Sequence, residues 1–409
     1  MLFQPLCNLA ARRYLPPSIS KTRRRWTARV LPACVFCSFL IRCALADPET
    51  ANCLQSDLFV GGQDGYHTYR IPALVVSGKG TLLAFCEGRK NASRDHGDID
   101  LLLKRSTDGG KTWTPSQVVW NDGENTCGNP CPVLDRQTGV LCLLLTWNLG
   151  EDREPDIIAR TSKDTRRVFA ASSSDDGATW GQPKEITADV KIADWTWYAT
   201  GPGNGIQLIR GKHAGRLAIP CDHIEGSTNK YFSHVILSDD HGKTWRLGGV
   251  SPQDHVNECA VVELADGRLM LNMRNDRSNS SFRQICLSPD GGETWEGQSF
   301  EPTLIEPICQ ASLLRYAWPE NGEKGRIIFS NTAGKKRENM MLRTSFDEAL
   351  TWSGARSLCV GPAAYSSLAV TPGGSIACLY ETGDQKPYEK LVFALCSPDW
   401  LAEGRDAAR

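Results

Sequence analysis

The sequence predicts an all-β chain folded as a six-bladed β-propeller of four-stranded antiparallel blades. Three observations lead there: a turn signature that returns five times, a glycine-opened apolar strand that returns six times, and the lack of any long segment with a 3.6-residue apolar period. Strand-rich units of this kind cannot bury an apolar face alone. They must stack on copies of themselves, and a ring of blades is one closed way to do so.

Taken in chain order, the first 46 of the 409 residues stand apart. Arg12, Arg13, Arg23, Arg24, Arg25 and Arg29 make a basic start, an apolar run follows from Val30 to Ile41, and Ala44-Leu45-Ala46 is a small-x-small cleavage signature. This reads as a signal peptide over 1–46, with 47–409 as the propeller domain. The apolar run is too short to span a bilayer comfortably, so no stable membrane span is expected once it is removed. An uncleaved amphipathic anchor is the alternative, because Arg42 interrupts the run before the cleavage site. The leader implies a secreted or periplasmic protein, with a lysosome-like compartment as the other destination.

Charge is nearly balanced, 46 Lys+Arg against 47 Asp+Glu. Nothing global therefore draws the chain to nucleic acid or to an anionic membrane, and any anionic substrate must be held by locally placed cations. Export permits disulfides. Cys86, Cys142, Cys221, Cys286, Cys378 and Cys396 lie in apolar runs and read as small buried hydrophobes, whereas Cys127 and Cys131, in a Gly/Pro-rich stretch read as a loop, are the best disulfide candidates. No Cys/His set has zinc-ligand spacing.

The turn signature is S-x-D-x-G-x-T-W, at Ser106–Trp113, Ser173–Trp180, Ser238–Trp245 and Ser288–Trp295; a fifth copy, Ser345–Trp352, carries Ala349 in place of the glycine. Its chemistry is that of a hairpin turn: an Asp carboxylate accepts from nearby backbone N–H groups, Gly takes a positive φ, and Trp covers the turn. The apolar strands open at Gly80, Gly139, Gly215, Gly267, Gly325 and Gly374. Their near-continuous apolarity marks strands buried on both faces. Four of them end in a charge at the same offset: Glu87, Asp222, Arg274 and Glu381. A charge closing a buried strand is costly unless paired or solvated. Equivalent strands around one axis would bring these four to the mouth of a shared channel.

Tyr69-Arg70-Ile71-Pro72, followed by several copies of the aspartate-box turn, resembles the exo-sialidases of the neuraminidase superfamily. The resemblance runs from about Leu58 to Trp400 and implies a retaining exo-α-sialidase acting on sialylated glycoconjugates, with no metal or organic cofactor. A trans-sialidase and a non-catalytic sialic-acid-binding propeller are the alternatives. A sialoside carries a carboxylate on its anomeric carbon, and converging guanidinium groups would bind it with charge-assisted hydrogen bonds. The resemblance places these on Arg70, Arg274 and Arg337, with Lys335, Lys336 and Arg343 as rivals for the third.

Sialidases use a tyrosine nucleophile. A carboxylate would be repelled by the one on the reacting carbon, whereas a neutral phenol is not, although it then needs a base. By resemblance the nucleophile is Tyr365 and the base Glu258. The acid/base is Asp95, in a polar loop beside a strand end, with Asp98 and Asp100 as rivals. Glu381 would buttress Arg70, while Glu87 and Arg89 would line the same rim and contact ring hydroxyls. The aromatic stretch from Trp195 to Gly203, read as a loop that includes Tyr198, would pack on the N-acyl or glycerol side, with a core role for Trp195 or Trp197 as the alternative. Asn91 and Asn279 are glycosylation acceptors if the host glycosylates.

Overall fold

The computed structural model describes residues 52–276 and 280–402. The proposed leader, with its four cysteines, and Asn279 lie outside the described residues. The first strand is β1 (Cys53–Val60). It is followed by β2 (Thr68–Val76), β3 (Leu82–Arg89), β4 (Ile99–Ser106), β5 (Gln117–Trp120), β6 (Thr126–Leu134), β7 (Leu141–Asn148), β8 (Arg167–Ser173) and β9 (Lys184–Glu185). Next come β10 (Trp195–Thr200), β11 (Ile206–Gln207), β12 (Leu217–Glu225), β13 (Tyr231–Ser238), β14 (Arg246–Val250), β15 (Val256–Glu263), β16 (Leu269–Asn275), β17 (Phe282–Ser288) and β18 (Glu296–Ile305). The chain finishes with β19 (Ser312–Ala317), β20 (Arg326–Thr332), β21 (Glu338–Ser345), β22 (Gly354–Val370), β23 (Ile376–Thr382) and β24 (Lys390–Cys396). The helices described are short, as the missing 3.6-residue period requires.

Neighbouring strands pair antiparallel in successive runs: β2 to β5, β6 to β9, β10 with β12 to β14, β15 to β18, and β19 to β22. A last run, β22-β23-β24, is completed by β1 from the other end of the described chain. The long strand β22 serves twice, pairing with β21 through its first half and with β23 through its second. One parallel contact, Ile99 with Thr126, joins the first two runs. The glycine-opened apolar segments are β3, β7, β12, β16, β20 and β23. Each is bonded to a strand on both sides, and their residues are almost all buried. This is the two-sided burial that their composition predicts.

Each aspartate-box turn follows the third strand of a run. In the second copy, Ser173 Oγ donates to Asp175 Oδ1 at 2.8 Å and accepts from Gly177 N–H at 2.9 Å. Asp175 also accepts from the Thr179 backbone at 2.9 Å and its hydroxyl at 2.6 Å. The pattern recurs around Asp108, Asp240, Asp290 and Asp347. The glycine takes a positive φ in the four complete copies, and in the fifth Ala349 adopts φ 67°. The turn therefore survives loss of its glycine, although a left-handed alanine costs about 1–2 kcal/mol. Trp113, Trp180 and Trp352 pack against Phe393, Phe85 and Phe329.

Two predictions arise here. Gly177 has φ +74°, and a Cβ there would stand 2.2 Å from Leu83 Cδ2. Gly177→Ala combines left-handed strain with overpacking and is expected to cost about 2–5 kcal/mol, read by guanidinium denaturation. The second concerns acid. The hydroxyl and backbone N–H of Thr179 hold Asp175 at about 2. For Asp240 burial pushes upward, but the hydroxyl and backbone N–H of Thr244 together with Ser238 outweigh it and hold the carboxyl at about 2 as well. These values lie below the unfolded Asp value of about 3.9. The stability they contribute is therefore complete above that value and is lost as pH falls through about 2. Tm is expected to fall between about pH 4 and pH 2, and Asp175→Asn to flatten that slope.

The cysteine reading is corrected in two places. Cys127 and Cys131 are separate buried thiols in a strand, not loop residues forming a bridge. The bond instead joins Cys53 to Cys396, whose residues face each other in the β1–β24 register. Cys396 is thus a bridge partner rather than a small hydrophobe, and the bond staples the two ends of the described chain at the run they share.

Candidate active site

The first strands of five runs share an irregularity that the sequence does not announce. Pairing with the second strand breaks for two residues, between Arg70 and Ala73, Gly128 and Cys131, Trp195 and Tyr198, Val256 and Cys259, and Ala363 and Ser366. Such breaks re-aim side chains out of the ladder. The residues they release include Ile71, Asn129, Trp197, Asn257, Glu258 and Tyr365, and all six line one cavity of about 200 Å³. Ile71 sits at φ 60° and Asn129 at φ 51°. A left-handed β-branched residue is strained, and here it lies at the cavity wall, where its N–H is held by Glu381 Oε1 at 2.9 Å.

Arg70, Arg274 and Arg337 line this cavity, as do Glu87, Arg89 and Asp95. Tyr365 is its most consequential occupant. Its hydroxyl lies 2.7 and 2.8 Å from the two oxygens of Glu258, and Arg274 Nη1 donates to the same hydroxyl at 3.0 Å. Arg274 also pairs with Glu258 at 2.6 Å. Burial pushes the phenol well above its ordinary value and Glu258 adds to this; Arg274, Arg337 and Arg70 pull the other way and do not outweigh them. The phenol is therefore neutral at rest, with a carboxylate placed to take its proton.

Arg70 is held by Glu381 through two bonds, Nε to Oε1 at 3.0 Å and Nη2 to Oε2 at 3.1 Å. Glu381 is fully buried behind the wall and also accepts the Tyr365 backbone N–H at 3.1 Å. It thereby fixes an arginine and the tyrosine backbone at once. Arg337 spends Nη1 on Tyr388 Oη at 2.6 Å and Nη2 on the Ile308 carbonyl at 2.9 Å, both neutral partners. Its rivals are elsewhere: Lys335 and Lys336 are exposed, and Arg343 bonds Asn331.

Asp95 reaches the cavity from its loop, 2.7 Å from Arg89 Nη1 and 3.5 Å from Arg70 Nη1, with its side chain 61% exposed. Against the upward push of partial burial, Arg89 and Arg70 hold the carboxyl below its ordinary value. Asp98 pairs with Lys90, and Asp100 bonds Tyr66, outside the cavity wall. Glu87 ties the rim together, accepting from Arg89 Nη2 at 2.6 Å and from the Asn129 backbone at 3.0 Å. Of the four strand-end charges, Glu87, Asp222 and Arg274 line the cavity and Glu381 lies behind it.

One expected contact is corrected. Tyr198 lies not in a loop but in β10, fully buried, with its hydroxyl 3.0 Å from His234 Nε2 in the core. Trp195 is also core, stacked on His223 at a 3.4 Å centroid distance. The register break between them turns Trp197 to the cavity instead. Sequence reasoning missed Arg166, Glu154, Asn129 and Tyr231, which line the cavity as well. The only signal for Arg166 is its place beside Arg167, and nothing there tells which of the pair turns inward. Burial pushes the carboxyls of Asp222 and Glu154 upward, so that the wall carries protonatable groups opposite in character to Asp95.

With this geometry in place, comparison with known proteins is informative. The BNR repeat-like domain model matches residues 80–378. The sialidase of Micromonospora viridifaciens is 34% identical over 367 residues, covering 84% of this chain and 55% of that protein. The exo-alpha-sialidase of Aspergillus fumigatus is 32% identical, covering 83% of this chain and 86% of that protein. The structure of the Hadza microbial sialidase Hz136 matches with a TM-score of 0.76 at 29% identity, covering 85% of this chain and 69% of that one. This chain thus spans about half the length of the Micromonospora relative. Because the repeat model covers most of it and the similarity extends along 86% of the fungal protein, the chain belongs to the sialidase family.

Proposed function

We propose that the chain is a retaining exo-α-sialidase that releases terminal sialic acid from glycoproteins, glycolipids or oligosaccharides. The observation that carries this reading is the Tyr365 hydroxyl bonded to both oxygens of Glu258 inside a cavity that also presents Arg70, Arg274 and Arg337. The strand runs are read as six blades of a propeller, with the cavity at its axis. Residues 1–46 are read as a signal peptide that sends the protein along an export route.

In the proposed reaction the substrate carboxylate docks on the three arginines. Arg337, whose bonded partners are neutral, is the most available of them. Glu258 takes the phenol proton as Tyr365 attacks the anomeric carbon, and Asp95 protonates the departing glycosidic oxygen. A carboxylate arriving on Arg70 weakens that arginine's hold on Asp95 and so raises the acid's proton affinity when it is needed. Asp95 then takes a proton from water, whose oxygen attacks the anomeric carbon as the bond to the Tyr365 oxygen breaks, and Glu258 returns its proton to restore the phenol. Two displacements at one carbon retain its configuration.

The reading is tested by following hydrolysis of a sialoside by proton NMR. Sialic acid should emerge first as its α anomer. Emergence of the β anomer, or no release by a folded protein, would overturn it, and transfer to lactose in place of water would make the enzyme a transferase. Asp95→Asn is expected to lower kcat/KM, which reports the first bond cleavage and not the later hydrolysis, by about 10²- to 10⁴-fold on a sugar-linked sialoside. The loss should be much smaller on an aryl sialoside, because a phenolate leaves without protonation. Equal losses on both substrates would remove Asp95 from the acid role.

A further inference from the structure

Arg166 lines the cavity, is 2% exposed and belongs to no motif in the sequence. Its Nη1 bonds Asn148 Oδ1 at 2.8 Å, and its Nη2 bonds Thr146 Oγ1 at 2.9 Å and the Asn129 side chain. These partners are all neutral, and Nε is buried without a partner. Trp197, the aromatic turned in by the register break, covers the guanidinium at 4.0 Å. A buried guanidinium with N–H groups to spare and no bonded carboxylate is costly unless something else uses it.

The support behind it is as specific. Lys191, directly after the short helix Thr187–Val190, directs its ammonium at three acceptors: Thr165 Oγ1 at 2.7 Å, the Arg166 carbonyl at 2.6 Å and the Thr196 carbonyl at 2.7 Å. The two carbonyls belong to Arg166 itself and to the residue before Trp197. One ammonium therefore ties together the backbones carrying both members of the stacked pair. Burial pushes this ammonium down to about 7, the nearby Arg166 charge adds to the effect, and Asp164 opposes it. A buried guanidinium beside a part-buried ammonium is a local expense of the kind that functional sites carry.

We propose that Arg166 is a further substrate-contacting arginine, donating to a neutral oxygen of the sialic acid other than its carboxylate, and that Lys191 is the residue that positions it. The class of acceptor follows from the surroundings. Glu87 and Asp95 act on Arg166 electrostatically, and their combined field disfavours a second anion while tolerating a hydroxyl or an acyl carbonyl. The inference rests on the reading of this cavity as the sialoside site.

The test is a double-mutant cycle on a fluorogenic sialoside. Arg166→Met is expected to raise KM by about 10- to 100-fold, the size of a lost charge-assisted hydrogen bond, with kcat within about threefold. Lys191→Met should raise KM by about 3- to 10-fold, and the double variant should match Arg166→Met within about twofold, because Lys191 acts through Arg166. A folded Arg166→Met variant with wild-type KM overturns the contact, and additive losses in the double variant overturn the positioning role. If either methionine variant fails to fold by circular dichroism, Arg166→Gln and Lys191→Gln are read by the same criteria. Tyr365→Phe is run alongside: full activity in that variant would sink the site reading itself, whereas its inactivity with an unaltered Arg166→Met would sink this inference alone.

Discussion

Tyr365→Phe is expected to lower kcat on a fluorogenic sialoside by about 10³- to 10⁶-fold, as removal of a covalent nucleophile does elsewhere. The substitution removes one oxygen and little else. Glu258 keeps its 2.6 Å pair with Arg274, so no carboxylate is left buried and alone. The three arginines keep their places, because Arg70 is held by Glu381 and Arg337 by Tyr388 and Ile308. KM should therefore change little. The fold loses about 1 kcal/mol of hydrogen bonding, and Tm should stay within about 4 °C of wild type. This pattern, chemistry lost with binding and fold retained, separates a nucleophile from a packing residue.

Glu381→Ala has the opposite character, a large effect on both fold and activity. The carboxylate accepts two bonds from Arg70 and one each from the backbone N–H groups of Ile71 and Tyr365. Its removal leaves a guanidinium with an 8% exposed side chain and two orphan N–H groups. Breaking a buried pair in this way typically costs about 3–5 kcal/mol. Ile71 would also lose the bond that holds its strained φ of 60°. Thermal unfolding should show the loss directly. In whatever fraction remains folded, kcat/KM should fall steeply, because Arg70 and the Tyr365 backbone are both unmoored.

The parts of this molecule that were legible in sequence are those written as residue types at fixed spacing. The aspartate box is a set of hydrogen bonds between residues two and four apart, so five copies disclose five hairpins. Buried second strands are apolar throughout because both faces are covered, and their terminal charges mark the cavity. Register was not legible. A two-residue break in pairing has no residue signature of its own: the stretch around Asn129-Pro130 reads simply as a Gly/Pro-rich loop, and Glu258 as a residue ahead of a strand. The same break defeats the alternation that would put Trp195 and Trp197 on one face and Tyr198 on the other: Trp195 and Tyr198 are both core, and Trp197 alone of the three turns to the cavity. Arg166 and Arg167 are adjacent, yet one is buried in the cavity wall while the other pairs with Asp164 at the surface. The Cys53–Cys396 bond joins residues 343 apart, and only the β1–β24 pairing brings them together.

The central claim is that a phenol, and no carboxylate, becomes bonded to the sugar. A fluorinated sialosyl fluoride, whose glycosyl–enzyme bond is slow to hydrolyse, should inactivate the enzyme, and peptide mass spectrometry should find the sialosyl mass on the peptide bearing Tyr365. Recovery of that mass on Glu258 or Asp95, or turnover of the reagent by the Tyr365→Phe variant at the wild-type rate, would contradict it.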